Sequence, residues 1–246
     1  MRLGLHVLGL IQAGQSSTPV AADLIAPLAM GYWDAANLAS QTKSDASVPE
    51  VGDVVTSAAN LADTATFSSI TPLNTGPTLR ADGTSHYWEF VNSIIYRFQA
   101  TMTPADMNFD VFMVVRRTLR VLAAANTGSW NNNHFGRYVD NSLATDVNFR
   151  GSATVDGGSV LTNRDEMHDA LTLNDWVLFR LSGGIAIAAE GGSLQSITMT
   201  GASDGTLQPD MDVAVMAVIP SATVATGTNL ADIVSQLEAR IAELNA

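Results

Sequence analysis

The sequence predicts an all-β fold, an antiparallel β-sandwich closed by one short α-helix at the C-terminus. Three features carry this expectation. β-Branched and aromatic residues gather in short runs bounded by Gly, Asn, Asp and Pro, the pattern of strands joined by turns. A helical period of apolar residues is nearly absent before residue 228 and clear after it. No fixed-period repeat is visible, so the many short strands point to one sandwich rather than to a solenoid or propeller. At 246 residues, a single main domain is the expected organisation. A domain of that size buries roughly 70–75% of its unfolded surface, enough to fold without covalent staples.

Residues 1–30 read as an N-terminal arm or assembly segment. Met1-Arg2 and the apolar run from Leu3 to Ile11 have the outline of a secretion signal, but Gly4, His6 and Gly9 interrupt the run and no clean small-residue cleavage site follows. Leu3, Leu5 and Val7 instead alternate as on a strand. Residues 12–30 are rich in Gln, Ser, Thr and Pro around the apolar patch Leu24-Ile25-Ala26-Pro27-Leu28, the character of a lead-in. No window reaches the roughly 18 apolar residues of a membrane-spanning helix.

Residues 31–226 carry the strand signals of the sandwich. Tyr32 to Leu38 opens a stretch rich in Ser, Asp, Thr and Val, expected to hold short strands and surface loops up to Arg80. Tyr87 to Phe98 is a clearer run, and Phe109 to Arg116 is apolar at nearly every position, as a central strand covered on both faces should be. Trp176 to Leu181 and Ile185 to Ala188 read as two strands of a hairpin, with Ser182-Gly183-Gly184 as its turn because Gly accepts positive φ. Leu194 to Thr200 and Met211 to Ile219 complete the series, and Pro220 ends it by removing a donor.

Residues 227–246 form the amphipathic helix. Thr228 or Asn229 is placed to cap it, with Asp232 in the first turn. Leu230, Ile233, Val234, Leu237, Ile241 and Leu244 fall on one stripe. As heptads, Val234 and Ile241 take one seam position and Leu230, Leu237 and Leu244 the other, which makes these five the candidate oligomerisation residues. Ile233 widens the stripe, so docking onto the chain's own sheet fits as well. Two heptads leave both arrangements open.

Several segments together resemble a known family. Tyr32-Trp33-Asp34-Ala35-Ala36-Asn37-Leu38 is similar to an opening strand and small-residue turn, and Pro77 to Phe90 to an Asp-Gly loop leading into a core strand. Phe109 to Arg116, Asp175 to Arg180 with Gly183-Gly184, and Asp212 to Val218 before the final helix follow in the family's order. This order resembles the concanavalin A-like, LamG-like jelly rolls of phage virion and bacterial surface proteins, over roughly residues 31–245. The resemblance implies a sandwich more firmly than an activity, because this fold carries lectins, glycosidases and inert structural modules alike. The family's loops often carry acidic calcium ligands, and no dense Asp/Asn cluster of that kind is present here.

Composition and motifs narrow the function classes. Cysteine is absent, which excludes thiolate catalysis, disulfides and Cys-based zinc sites. A formal charge of −12 with 15% charged residues argues against nucleic acid and anionic membranes as partners. His6, His86, His134 and His168 lack metal-ligand spacing, and Asn163 to Asp169 reads as a solvated turn. Glu89, Glu166 and Glu190 do not form the close carboxylate pair that glycoside hydrolysis needs. No nucleophile elbow, P-loop or dinucleotide fingerprint occurs, so neither catalytic residues, nor a metal, nor a cofactor is expected. Within Thr127 to Tyr138, Trp130 with Asn131, Asn132, Asn133 and Arg137 has the chemistry to hold a sugar, an aromatic face beside amide and guanidinium donors. A hairpin tip whose Trp packs inward is the other reading of that segment.

These features lead to the expectation of a non-enzymatic structural or adhesive virion component, a phage tail, fibre or capsid-decoration protein residing in an extracellular particle. Its expected partners are other virion proteins and further copies of itself, with host cell-surface polysaccharide as the candidate adhesive target, and without membrane insertion. The alternative is a secreted bacterial lectin-like carbohydrate-binding module.

Overall fold

The computed structural model describes residues 23–64, 66–72, 75–90, 98–102, 107–118, 138–139, 142–143, 152–161, 166, 169–186, 195–198 and 211–246. The strands among them are β1 Gly31–Asp34, β2 Gln41–Thr42, β3 Ser57–Ala58, β4 Thr71–Pro72, β5 Thr78–Asp82, β6 Ser85–Phe90, β7 Phe98–Met102, β8 Met107–Arg117, β9 Tyr138–Val139, β10 Ser142–Leu143, β11 Ser152–Val155, β12 Trp176–Ala186, β13 Gln195–Thr198 and β14 Met211–Pro220. A short helix, Ser221–Val224, and the C-terminal helix, Asn229–Leu244, follow. The named strand pairs are antiparallel.

One seven-stranded sheet dominates, in the order β11-β12-β8-β14-β6-β5, with β1 also on β14. The last strand in sequence is therefore central in space. One edge of β14 pairs with β8 along its length, while the other is divided between β6 at Met211 to Val213 and β1 at Val215 to Val218. The register of β14 against β8 shifts between Val213 and Val215. At this bulge Ala214 and Val215 both belong to the core cluster on the helix side, so the extra residue resets the alternation of side chains. The Ala214 carbonyl accepts from the Ala35 N–H, which gives the bulge a backbone partner.

The sheet is buried on both faces. On one, Phe109, Val111, Met113 and Val115 of β8 pack with Val177, Phe179 and Leu181 of β12, Met216 and Val218 of β14, and Trp88 of β6. Val55, Ala58, Phe67 and Ile70, from the loop-rich segment between β1 and β4, cover this face. On the other, Phe112, Val114, Leu178, Ala217 and Ile219 meet Ile233, Leu237 and Leu244 of the C-terminal helix. Alternate residues of β8 thus enter different cores, which explains why Phe109 to Val115 shows no polar–apolar alternation. Full burial of each large apolar side chain contributes roughly 1.5–3 kcal/mol.

The segment from Ile25 to Ala29 also joins the helix-side core. Ile25, Ala26 and Ala29 are buried there, and the Leu24 N–H donates to Gln236 Oε1 of the helix at 2.7 Å. The segment preceding β1 and the end of the chain therefore brace each other.

One expected element is corrected. Trp176 to Ala186 is a single strand, with no hairpin at Ser182-Gly183-Gly184. The pairing with β8 passes from Leu181 opposite Val111 to Gly184 opposite Phe109 through an irregularity. The glycines relax the strand locally while its direction continues, as glycine does at bulges. A glycine turn does occur at Gly83, whose φ is +54° between β5 and β6. Its hairpin meets the end of the C-terminal helix, where the Thr84 N–H donates to the Glu243 carbonyl at 3.0 Å.

Candidate functional site

The chemistry-bearing side chains of the described residues gather on the helix-side face of the large sheet. Strand alternation places Asp110 and Arg116 of β8, Arg180 of β12 and Asp212 of β14 on that face, each a charge inside an otherwise apolar run. A charge in such a position requires a partner, since leaving it alone in the interior would cost several kcal/mol.

Arg116 is the centre of the largest cluster. Its Nε and Nη2 donate to Asp212 Oδ2 at 3.0 and 2.7 Å, and its Nη1 pairs with Asp82 at the end of β5. The guanidinium carbon lies 4.9 Å from the Tyr87 ring centre and 4.5 Å from that of Trp176. The two rings meet edge to face, with centroids 5.3 Å apart. Arginine suits this role because its planar group can stack and donate in its plane at once. On the adjacent strands Arg80 Nε donates to Glu89 Oε2 at 2.7 Å, and Glu89 stands directly opposite Asp212.

Asp212 is the most perturbed member. Its side chain is 2% exposed, and among the described residues its Oδ1 has no hydrogen-bond partner. Burial pushes its carboxyl up to about 6, against the lowering effect of Arg116, and the charges of Glu89 and Asp82 add to the rise. Such a group could in principle act as an acid or base. A proton-transfer group must also reach its substrate, and Asp212 lies almost wholly out of contact with solvent.

Two further arginines secure the same face. Arg180 donates to Asp110 Oδ2 from Nε and Nη2 at 3.0 and 2.7 Å, while Ser221 Oγ donates to Asp110 Oδ1 at 2.6 Å. β12, β8 and the start of the short helix are thereby joined. Arg240, buried on the C-terminal helix, donates from Nη2 to Asp34 Oδ1 at 3.0 Å and to the His86 carbonyl at 2.8 Å. Its Nη1 donates to Glu243 Oε2 at 3.1 Å. Burial raises the Asp34 carboxyl above its ordinary range even with Arg240 beside it.

Of the residues singled out in the sequence, Trp130, Asn131, Asn132, Asn133 and Arg137 lie outside the described residues, as do His6, His134, His168 and Glu190. Within the C-terminal helix, Leu237 and Leu244 are buried against the sheet, and Leu230, Val234 and Ile241 pack beside them partly buried. The five seam residues thus all contact this chain's own core. Thr228 precedes the helix without capping its backbone, and its hydroxyl donates to Asp232 Oδ2 at 3.0 Å instead. Among the described residues, no group of three or more His, Cys, Asp or Glu side chains is arranged to hold a metal ion, and no helix is long and apolar enough to cross a membrane.

The Arg116 cluster was not anticipated from the sequence. Asp82 and Asp212 lie 34 and 96 positions from Arg116, beyond any local motif. The available signal was the placing of single charges within the apolar runs around Phe112, Phe179 and Val213. Comparison with protein-family models, curated proteins and solved structures returns no match.

Proposed function

We propose that this chain is a non-enzymatic structural or adhesive virion component, a phage tail, fibre or capsid-decoration protein built on a concanavalin-like β-sandwich of jelly-roll type. The observation that carries this reading is the use of the interior charges. Arg116, Arg180 and Arg240 are each bound to carboxylates from other strands or from the helix, so that these groups fasten elements together. A protein whose task is to hold its shape within an assembly benefits from such fastening. The sandwich reading is supported by the burial of both sheet faces, with the short strands and loops between β1 and β4 as the second layer. Its expected partners are other virion proteins and further copies of itself, with host cell-surface polysaccharide as the adhesive target.

Locating the protein in density-purified particles from the producing culture tests the reading. Stoichiometric recovery in particles is the expected result, and recovery only as free protein in the medium overturns it in favour of a secreted lectin-like module. A glycan array separates adhesion from scaffolding. Binding by the intact chain that disappears in Trp130→Ala assigns the Trp130 to Arg137 segment to the glycan, whereas no binding to any glycan leaves a scaffold.

A further inference from the structure

The Arg116 cluster has an unbalanced charge. Among the described residues, three carboxylates, Asp82, Glu89 and Asp212, face two guanidinium groups, Arg80 and Arg116. They lie on β5, β6, β14 and β8, and Tyr87 of β6 and Trp176 of β12 flank them with rings rather than charge. With all five ionised, the cluster carries one excess negative charge. That charge has a specific place to be neutralised, because Asp212 Oδ2 accepts from Arg116 while the buried Oδ1 accepts from none of the described residues.

We propose that Asp212 is a built-in proton-uptake site, so that the folded chain binds a proton at Asp212 Oδ1 in mildly acidic solution and the sheet is held more firmly there than at neutral pH. The proton comes from solvent and forms an O–H bond at Oδ1, and no other bond is made or broken. Arg116 stays protonated, continues to donate to Oδ2 and keeps its pairing with Asp82. The cluster then contains two negative and two positive groups. A carboxyl buried to this degree resists ionisation, consistent with its rise from 3.8 to about 6.

The sign follows from linkage. A carboxyl that binds its proton more tightly in the folded than in the unfolded chain adds stability that is complete below the unfolded value, near 3.8, and is lost as pH rises through about 6. Between pH 7.5 and pH 5 this one group raises the folding constant roughly tenfold. His86 works in the opposite direction, since burial lowers it and favours its neutral form. The measurement must therefore be differential.

Urea unfolding of the full chain and of Asp212→Asn, each at pH 7.5 and pH 5, provides it. The expected result is that the folding constant of Asp212→Asn relative to the parent falls about tenfold on going to pH 5. A ratio unchanged with pH overturns the proposal. If Asp212→Asn does not fold, the carboxyl carbon of Asp212 is followed by NMR in the folded parent chain. A midpoint above pH 5 supports the proposal, and one at or below pH 4 overturns it.

Discussion

At the scale of single residues, the fold depends on polar groups buried with their partners. Gln41 is fully buried, receives the Trp88 indole N–H on Oε1 at 2.8 Å and donates from Nε2 to the Ala35 carbonyl at 2.8 Å. It joins β6 to the turn after β1 inside the core. Gln41→Leu would remove both the acceptor of the indole N–H and the donor to the Ala35 carbonyl inside the core, and is expected to cost about 1–3 kcal/mol in urea unfolding. Phe179, fully buried between strands, is a different case. Phe179→Ala removes contacts and leaves a cavity, with an expected loss of about 3–5 kcal/mol. Titration adds a third residue-scale effect. Burial lowers the His86 imidazole below its ordinary 6.5, so the stability that its neutral form contributes is present above that value and lost as pH falls through the folded one. His86→Gln is expected to flatten the acid side of the stability profile, a change opposite in sign to that of Asp212→Asn.

At the scale of elements, the C-terminal helix shows what was legible in the sequence and what was not. Its existence and stripe followed from a 3.6-residue period, which depends only on neighbouring residues. What the stripe covers depends on partners far along the chain, and here they are β5, β6, β8 and β12. Leu237→Ala is expected to cost about 2–5 kcal/mol. Because Leu237 is buried within one chain, the loss should be the same at all protein concentrations, whereas a seam between copies would make the unfolding midpoint concentration-dependent. The apolar strands around Phe112 and Val213 were legible for a similar reason, since composition and length mark a strand buried on both faces. Gly183-Gly184 misled because glycine serves equally in a turn and in a strand irregularity, and the choice is made by the register against β8. The ion pairs of Arg116 were illegible because their members meet only once β5, β8 and β14 are assembled. Gly83 joins hairpin to helix: a methyl group there would lie 2.3 Å from the Glu243 carbonyl oxygen, at a positive φ unfavourable to alanine. Gly83→Ala is therefore expected to lower stability by more than about 1 kcal/mol.

At the scale of the whole molecule, the first and last strands among the described residues, β1 and β14, pair with each other at the centre of the large sheet. β14 receives β1 and β6 on one edge and β8 on the other, and the residues following it run into the helix that covers the same face. Most of the order in the sheet is thus non-local, a topology associated with slow folding. The division of one β14 edge between two strands has a consequence for biosynthesis. A nascent chain emerging from the ribosome carries β1, β6 and β8 with no strand to join them until Met211–Pro220 is made. Until then Phe112, Val114 and Tyr87 face water, and cellular holdase chaperones have a natural substrate. Ribosome-bound chains stalled before residue 211 should accordingly be cut readily by protease, and free chains that include residues 211–246 should resist it.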